Sequence, residues 1–271
     1  MHGADSIDVA HAHNDLASVL QDLGDYAGAA KHYKAAMALE VQLLPANSMD
    51  IAISANNLAS LDEDRGDCTA ALPLLRQSLR IRVTKFQPPH RSLARAQHNL
   101  ARCELQLHDM PAARRDLDAA LRARRQLGDT VELFDSELLN AQWQLDAGHL
   151  DVASAALQAL TAPSGRGNYR RRAQDAQLHA RIAAARKDFQ AARAAQTQAQ
   201  DELRRELGSA HPLFARASVW AADYAHAAHD DVAARKLLSE ALPIIDANLV
   251  AVAPDRIKAH RLARIMGMTH N

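Results

Sequence analysis

Histidine is the residue in this sequence that could most readily bind a metal ion or transfer a proton, and the 271 residues include fourteen histidines. His11 and His13 are two positions apart, so on a helix their side chains point in different directions. His226 and His229 share a helical face, but no third ligand stands at a suitable spacing. The spacing therefore favours histidines that bind no metal.

Patterns that would indicate catalysis or redox chemistry are also missing from the sequence. Cys68 and Cys103 do not recur at metal-ligand spacing and fall in predicted helices, which favours buried free thiols. The segment SGRGN (164–168) has two glycines but lacks the Lys-Ser/Thr and the preceding strand of a phosphate-binding loop. No Gly-x-Ser-x-Gly motif occurs. The sequence predicts a protein that is not an enzyme and has no cofactor and no metal site.

The composition limits the class of protein further. Thirty-two basic residues balance thirty-two acidic ones, which argues against general nucleic-acid binding. No apolar run approaches the roughly 20 residues of a membrane span, so no membrane insertion is expected. The residues are 48% hydrophobic and only 4% aromatic, with long runs of helix-favouring types, which indicates an all-α fold. The sequence does not decide the cellular compartment. The cytoplasm is favoured, and the periplasm fits if the segment is the tail of a membrane-anchored protein.

A repeat of 42 residues organises the first half of the chain. Asn14, Asn56 and His98 stand in step, and Gly24 and Gly66 each precede an aspartate. Leucine recurs at 16, 58 and 100, and alanine recurs at 17, 59 and 101 and at 29, 71 and 113. Glycine ends a helix readily and aspartate caps the next one, so each period predicts two helices joined by a short turn. Similar turns begin at 148, 187 and 229.

These residues resemble the tetratricopeptide repeats in their long form, which is typified by the kinesin light chain. The resemblance rests on NNLA (56–59), GDYAGA (24–29) and LGSAHP (207–212), and it covers about the whole chain. It implies a right-handed α-solenoid forming a single domain over 1–271. We expect hairpins at about 6–44, 48–86, 90–126, 130–161, 168–206 and 210–248, followed by a capping helix at 254–267.

The resemblance also implies that the first helix of each hairpin lines a concave groove for a protein or peptide partner. The asparagines suit this role because an amide can both donate to and accept from a partner's backbone. Acidic residues in the first two hairpins and arginines in the third predict a groove polarised along its length. The main predicted partner-binding residues are His11, Asn14, Ser18, Gln21, Asp22, Asn56, Ser60, Glu63, Asp64, Arg95, His98 and Arg102. The further groove positions are Gln106, Asp135, Gln142, Asp146, Gln174, Gln177, Arg181, Arg216, Asp223 and His226.

Two acidic residues depart from the family pattern. Asp62 and Glu104 stand where this chain has Leu20 and where the family has Tyr or Leu. We expect both carboxylates to reach solvent or to pair at the surface with Arg65, Arg95 or Arg102.

The functional hypothesis is a non-catalytic scaffold for protein–protein interaction, a sensory or recruiting part of a larger bacterial signalling protein. The Ala- and Arg-rich array with its terminal helix loosely resembles the C-terminal tails of bacterial serine/threonine kinases. The opening segment 2–10 resembles loops that join two repeats, which predicts further protein before Met1. The alternative is an architectural module without a peptide groove, which self-associates through the uncapped N-terminal hairpin.

Overall fold

Residues 6–268, apart from the side chain of Arg166, are described by a computed structural model. Its helices are α1 (Ile7–Asp22), α2 (Tyr26–Leu43), α3 (Met49–Asp64), α4 (Cys68–Lys85), α5 (Arg91–Gln106), α6 (Met110–Leu127), α7 (Thr130–Asp146), α8 (Leu150–Gln158), α9 (Tyr169–Ala185), α10 (Phe189–Leu207), α11 (Pro212–Ala227), α12 (Asp231–Asn248) and α13 (Pro254–Ile265), with a 3-10 turn at Arg166–Asn168. No strand occurs within 6–268, so the predicted all-α fold is confirmed. Residues 2–5 of the loop-like opening segment lie outside the described residues.

The turns within the hairpins follow one local rule. Gly24 and Gly66 have positive φ angles of 83° and 78°, and His108, which replaces glycine in the third repeat, also has a positive φ of 60°. The next residue is an aspartate whose carboxylate accepts a hydrogen bond from the backbone N–H three positions later. This cap begins α2, α4, α6, α10 and α12, at Asp25, Asp67, Asp109, Asp188 and Asp230.

The chain divides into two compact units, Met1–Ser136 and Glu137–Asn271. In the first unit the recurring alanines lie at the helix crossings: Ala17, Ala29, Ala59 and Ala71 are all 0% exposed. Tyr33 and the other large apolar residues fill the spaces beside them. Small residues let the helix backbones approach, and the large ones interlock around them.

The second unit contains hairpins of the same kind with a larger core at its C-terminal end. Residues of α11, α12 and α13 share one apolar cluster, in which Val219, Leu238, Ile245 and Leu262 are buried. The exception in this unit is α8, which has nine residues where α10 has nineteen. The segment between α8 and α9 contains only the short 3-10 turn.

Candidate binding face

The first helices of the first three hairpins are joined directly by polar side chains. Between α1 and α3, Gln21 Nε2 donates to Asp64 Oδ2 at 2.8 Å. Between α3 and α5, Asn99 Nδ2 donates to Asn56 Oδ1 at 3.0 Å, and Arg102 donates to Glu63. These bonds hold α1, α3 and α5 side by side. We call their combined exposed and half-buried surface the first-helix face.

Rows of residues spaced 42 apart cross this face, because each helix repeats the register of the one before. One row changes from the exposed His11 through Ile53, which is 42% exposed, to the exposed Arg95. The other rows are Ser18, Ser60 and Arg102; Asp22, Asp64 and Gln106; and Asp15, Asn57 and Asn99. The exposed carboxylates Asp15 and Asp22 belong to α1, and the exposed Arg95 belongs to α5. The face therefore has opposite charges at its two sides.

Asn14, one of the two asparagines expected to bind a partner, lies inside the first unit. Its side chain is buried, and Nδ2 donates to Glu40 Oε1 at 3.1 Å and also to Ser54. Ser54 in turn donates to Glu40 Oε1 at 2.7 Å. Burial raises the pKa of Glu40, and the hydrogen bond from Ser54 opposes that shift. Asn14 thus links α1 to α2 and α3, and it is not part of the first-helix face.

Three other predicted partner-binding residues are also buried. Gln21 accepts from the Tyr33 hydroxyl at 3.1 Å while it donates to Asp64. His98 Nδ1 lies 3.2 Å from Ser136 Oγ, and Glu63 receives the hydrogen bond from Arg102. The half-buried Asn56 accepts from Asn99. Of the predicted set, the first-helix face brings together His11, Ser18, Asp22, Asn56, Ser60, Asp64, Arg95 and Arg102.

The sequence interpretation missed a buried polar row on the second helices. Glu40, Arg82 and Arg124 are 42 residues apart and are 1%, 1% and 2% exposed. Arg82 donates from Nη1 to the Ala52 carbonyl at 3.1 Å and from Nε to Ser92 Oγ at 2.8 Å. Arg124 donates to Ser136 Oγ at 2.5 Å. Each of the three residues contacts the first helix of the following hairpin. The recurrence of a charged residue every 42 positions was the sequence signal that could have identified this row.

The expectation that Asp62 and Glu104 reach solvent is wrong, but the alternative of pairing with Arg65 holds for Asp62, whose Oδ1 lies 3.8 Å from Arg65 Nη1. Asp62 is 9% exposed, and Glu104 is 1% exposed. Burial raises the pKa of Asp62 to about 6, although Arg65 opposes the shift, and it raises the pKa of Glu104 to about 7.

The arginines beside Glu104 are Arg76 and Arg115, at 3.7 and 3.9 Å from Oε1, rather than Arg95 or Arg102. They come from α4 and α6. The carboxylate of Glu104 is therefore buried beside side chains of the second helices α4 and α6.

In the second unit, four of the predicted groove residues form ion pairs between a first helix and the next first helix or the terminal helix α13. Arg181 on α9 donates to Asp146 on α7 at 2.5 Å. Between α11 and α13, Arg216 Nε donates to Asp255 at 2.6 Å and Lys258 Nζ donates to Asp223 at 2.5 Å. His226 Nδ1 lies 2.6 Å from Asp231. The His226 contact stays within the hairpin of α11 and α12, whereas the other three contacts are the counterpart of the hydrogen bonds that join α1, α3 and α5.

The described part of the chain lacks the side-chain groups of a metal site and the helices of a membrane span. Within residues 6–268, no three His, Cys, Asp or Glu side chains are grouped so that they could hold a metal ion. None of the described helices combines the length and the apolarity that crossing a membrane requires. Cys68 and Cys103 are buried free thiols, and the Cys103 thiol donates to the Cys68 carbonyl at 3.3 Å.

Comparisons with known proteins agree with this architecture. Residues 8–82 match the family model described as Tetratricopeptide repeat. The structure of a Rap protein complexed with Competence and Sporulation Factor is similar, with 13% identity, 94% of this chain and 72% of that chain covered, and a TM-score of 0.58. This likeness shows a common fold.

Two other solved structures align at lower scores. A Podosopora anserina putative kinesin light chain with nearly identical TPR-like repeats has 17% identity, a coverage of 90% of this chain and 97% of that chain, and a TM-score of 0.42. BtubC (BKLC) from P. vanneervenii has 15% identity, a coverage of 97% and 94%, and a TM-score of 0.48. No curated protein matches the sequence. The family match identifies tetratricopeptide repeats in residues 8–82, and helical hairpins continue through the rest of the described chain.

Proposed function

We propose that the first-helix face binds an extended segment of a partner protein and that the chain acts as a non-catalytic scaffold. The observation that carries this proposal is the charge distribution on three helices held side by side. Asp15 and Asp22 are exposed on α1, and Arg95 is exposed on α5, with the exposed Ile53 between them on α3. A segment with basic and acidic residues in the complementary order fits this face.

The polar side chains of the face suit recognition of a peptide backbone. Ser18, Ser60 and Asn57 lie between the charged borders and can both donate and accept hydrogen bonds. Ile53 offers an apolar contact, which the charged groups surround. Asn14 takes no part in the proposed binding, because a partner could reach its amide only after the bonds to Glu40 and Ser54 break.

The signalling context is the second part of the proposal. It rests on the likeness of fold to the Rap protein, whose structure is a complex with Competence and Sporulation Factor. The chain would recruit or sense a protein partner on behalf of a larger bacterial signalling protein, such as a serine/threonine kinase.

A peptide-display selection against the whole chain, followed by titration of the selected peptides, tests the binding face. Two variants alter its charge with little effect on packing: Arg95→Glu reverses an exposed charge, and Asp64→Asn keeps an acceptor for Gln21. We expect each to weaken binding about tenfold, equivalent to about 1.4 kcal/mol. The loss should shrink at high salt, because the exposed charges are screened.

Arg80→Glu is the matched control for the charge reversal, because Arg80 is exposed on the second helix α4. It should leave the affinity within about twofold of the original. Selected peptides that bind the two face variants and the original chain equally well would contradict the proposal, because the face would then be idle.

A further inference from the structure

A groove of about 390 Å³ lies between the second helices α10 and α12 of the second unit. The first helix α11 lines it with Phe214, Ala221 and Ala225, and α12 adds Leu237. A groove of this size falls within the range of small-molecule sites, which is roughly 300–1,000 Å³. All three helices are internal to the described chain, so the groove does not depend on what precedes or follows the sequence.

The register of the hairpins explains why this groove is hollow. In all six hairpins, the backbone N–H of the residue before the second helix donates to the carbonyl of the residue five positions earlier. In the first three hairpins that carbonyl belongs to a residue with a large side chain, and in the hairpin of α11 and α12 it belongs to an alanine. The four residues are Leu20, Asp62, Glu104 and Ala225, with N–O distances of 2.9, 2.7, 2.9 and 2.9 Å.

The hairpin of α5 and α6 shows what this position holds when it is filled by an acid. The Glu104 carboxylate lies near Arg76 of the preceding second helix and Arg115 of its own hairpin. Counted from the residues that precede the second helices, Thr197 stands at the position of Arg76, and Lys236 stands at that of Arg115. Both line the groove. The groove therefore keeps a cation on α12 but has no carboxylate beside it at the Glu104 position.

The charges around the groove make Lys236 its available cation. Lys236 is exposed, as Arg115 is, and it forms no ion pair with any residue of 6–268. Glu240, one turn further along α12, is exposed at the rim and is not paired with it. The two arginines that line the groove from α10 are each bonded to an aspartate: Arg193 to Asp230 at 2.9 Å and Arg204 to Asp201 at 2.6 Å.

We propose that this groove binds a small carboxylic acid with an apolar body. The ligand's carboxylate pairs with Lys236 and takes the place that the Glu104 side chain occupies in its own hairpin. The apolar body contacts the half-buried Phe214 and Leu237 over the floor formed by Ala225. This site goes beyond peptide binding at the first-helix face, because it lies on second helices of the other unit and uses none of the same residues.

Nuclear magnetic resonance titrations of the whole chain with octanoate and phenylacetate test the site. Each acid is paired with its uncharged amide, octanamide or phenylacetamide. We expect the acids to shift the methyl signals of Ala225 and Leu237, and the amides to bind about fivefold more weakly because they cannot pair with the lysine. The equivalent groove over α9 is an internal control: Ala194 replaces the lysine there, so the methyl signal of Ala183 should show no preference for the acids.

Two variants separate the charge from the space. Lys236→Met keeps the apolar stem of an exposed side chain, so it should fold normally, weaken binding of the acids about fivefold and leave binding of the amides unchanged. Ala225→Glu restores the carboxylate of the third hairpin, which should pair with Lys236, fill the groove and abolish binding of acids and amides alike. Circular dichroism checks that the second variant folds.

Arg235→Met is the matched control for the charge, because Arg235 is exposed on α12 outside the groove, and this variant should bind as the original does. The proposal is overturned if the acids leave the Ala225 and Leu237 signals unshifted, or if acids and amides bind the original chain equally. It is also overturned if Lys236→Met binds the acids as tightly as Arg235→Met does. Peptide binding at the first-helix face is measured separately and can succeed or fail independently of these results.

Discussion

The two compact units are built from the same kind of helical hairpin, but they bury different chemistry between consecutive hairpins. The first unit places the charged row Glu40, Arg82 and Arg124 in contact with the next first helix. The second unit has the buried apolar residues Leu203 and Ile245 at the equivalent positions, and its buried polar link lies elsewhere on α10, at the neutral Gln196, whose Nε2 donates to the Ala217 carbonyl at 2.8 Å. A regular 42-residue period therefore does not imply an apolar interior. The more periodic unit also buries the carboxylates of Asp62 and Glu104.

The largest predicted effect comes from removing Arg82. Burial lowers the pKa of Arg82 to about 10, yet its guanidinium donates to the Ala52 carbonyl, Ser78 and Ser92. Arg82→Ala removes three hydrogen bonds and opens a cavity, although the Ala52 carbonyl still accepts from the Ser78 hydroxyl at 2.5 Å, so we expect the first unit to lose about 3 kcal/mol of unfolding free energy. Gln196→Ala, which removes the buried polar link of the second unit, should cost about 1–2 kcal/mol.

Native-state hydrogen exchange measures these losses unit by unit. Trp143 and Trp220 are the only tryptophans of the chain and both belong to the second unit, so their fluorescence reports that unit separately. If Arg82→Ala and Gln196→Ala lower the unfolding free energy of their units equally, the predicted difference between a charged and a neutral buried link is wrong.

The next effect concerns Glu104, which should destabilise the first unit at high pH. Its pKa is raised by burial from 4.5 to about 7, so the folded state holds the proton more tightly than the unfolded state does. The stabilising effect of that proton is complete below about pH 4.5 and is lost as the pH rises through about 7. Asp62, with a pKa raised from 3.8 to about 6, acts in the same direction.

Glu104→Leu, which restores the residue type of Leu20, should therefore stabilise the first unit by about 3 kcal/mol at pH 8 and by less at pH 5. Urea unfolding at the two pH values measures the difference. Asp118→Asn is the control of opposite sign, because the hydrogen bond from Arg114 lowers the pKa of Asp118. A gain for Glu104→Leu that is the same at both pH values would show that packing, rather than ionisation, causes it.

Local signals explain how much of the fold was predictable. The Gly-Asp turns, the aspartate caps and the alanines at helix crossings each depend on a few neighbouring residues, and each recurs at the spacing seen in the sequence. The site was less predictable, because one residue turns the side chain by about 100° around a helix. Asn14 points into the unit, whereas Asp15, the next residue of the same helix, is exposed.

The burial of Glu104 could not be read from its own helix. It depends on α4 and α6, whose arginines lie near its carboxylate, and on how closely these helices pack. The same reasoning applies to Arg82, since its acceptors belong to three different helices. Sequence spacing identifies such positions as recurrent, and only the packing shows that they are buried.

The smallest predicted effect concerns α8, the shortest helix of the second unit. The second helix α8 begins after His149, whose side chain makes no capping hydrogen bond. The backbone of His149 has φ −87° and ψ 62°, close to the −87° and 80° of the capping residue Asp188. An aspartate at 149 could therefore accept from the N–H of Val152 without a backbone change, and we expect His149→Asp to stabilise the second unit by about 0.5–1 kcal/mol.

His149→Ala is the matched control, because it also removes the 2.9 Å contact with Gln144 but adds no cap. Tryptophan fluorescence gives the unfolding midpoint of each variant. The midpoint is compared rather than the intensity, because the His149 ring lies 6.3 Å from the Trp143 ring and its replacement changes the intensity itself. If the aspartate and alanine variants unfold at the same midpoint, the missing cap is not what distinguishes α8 from the capped second helices.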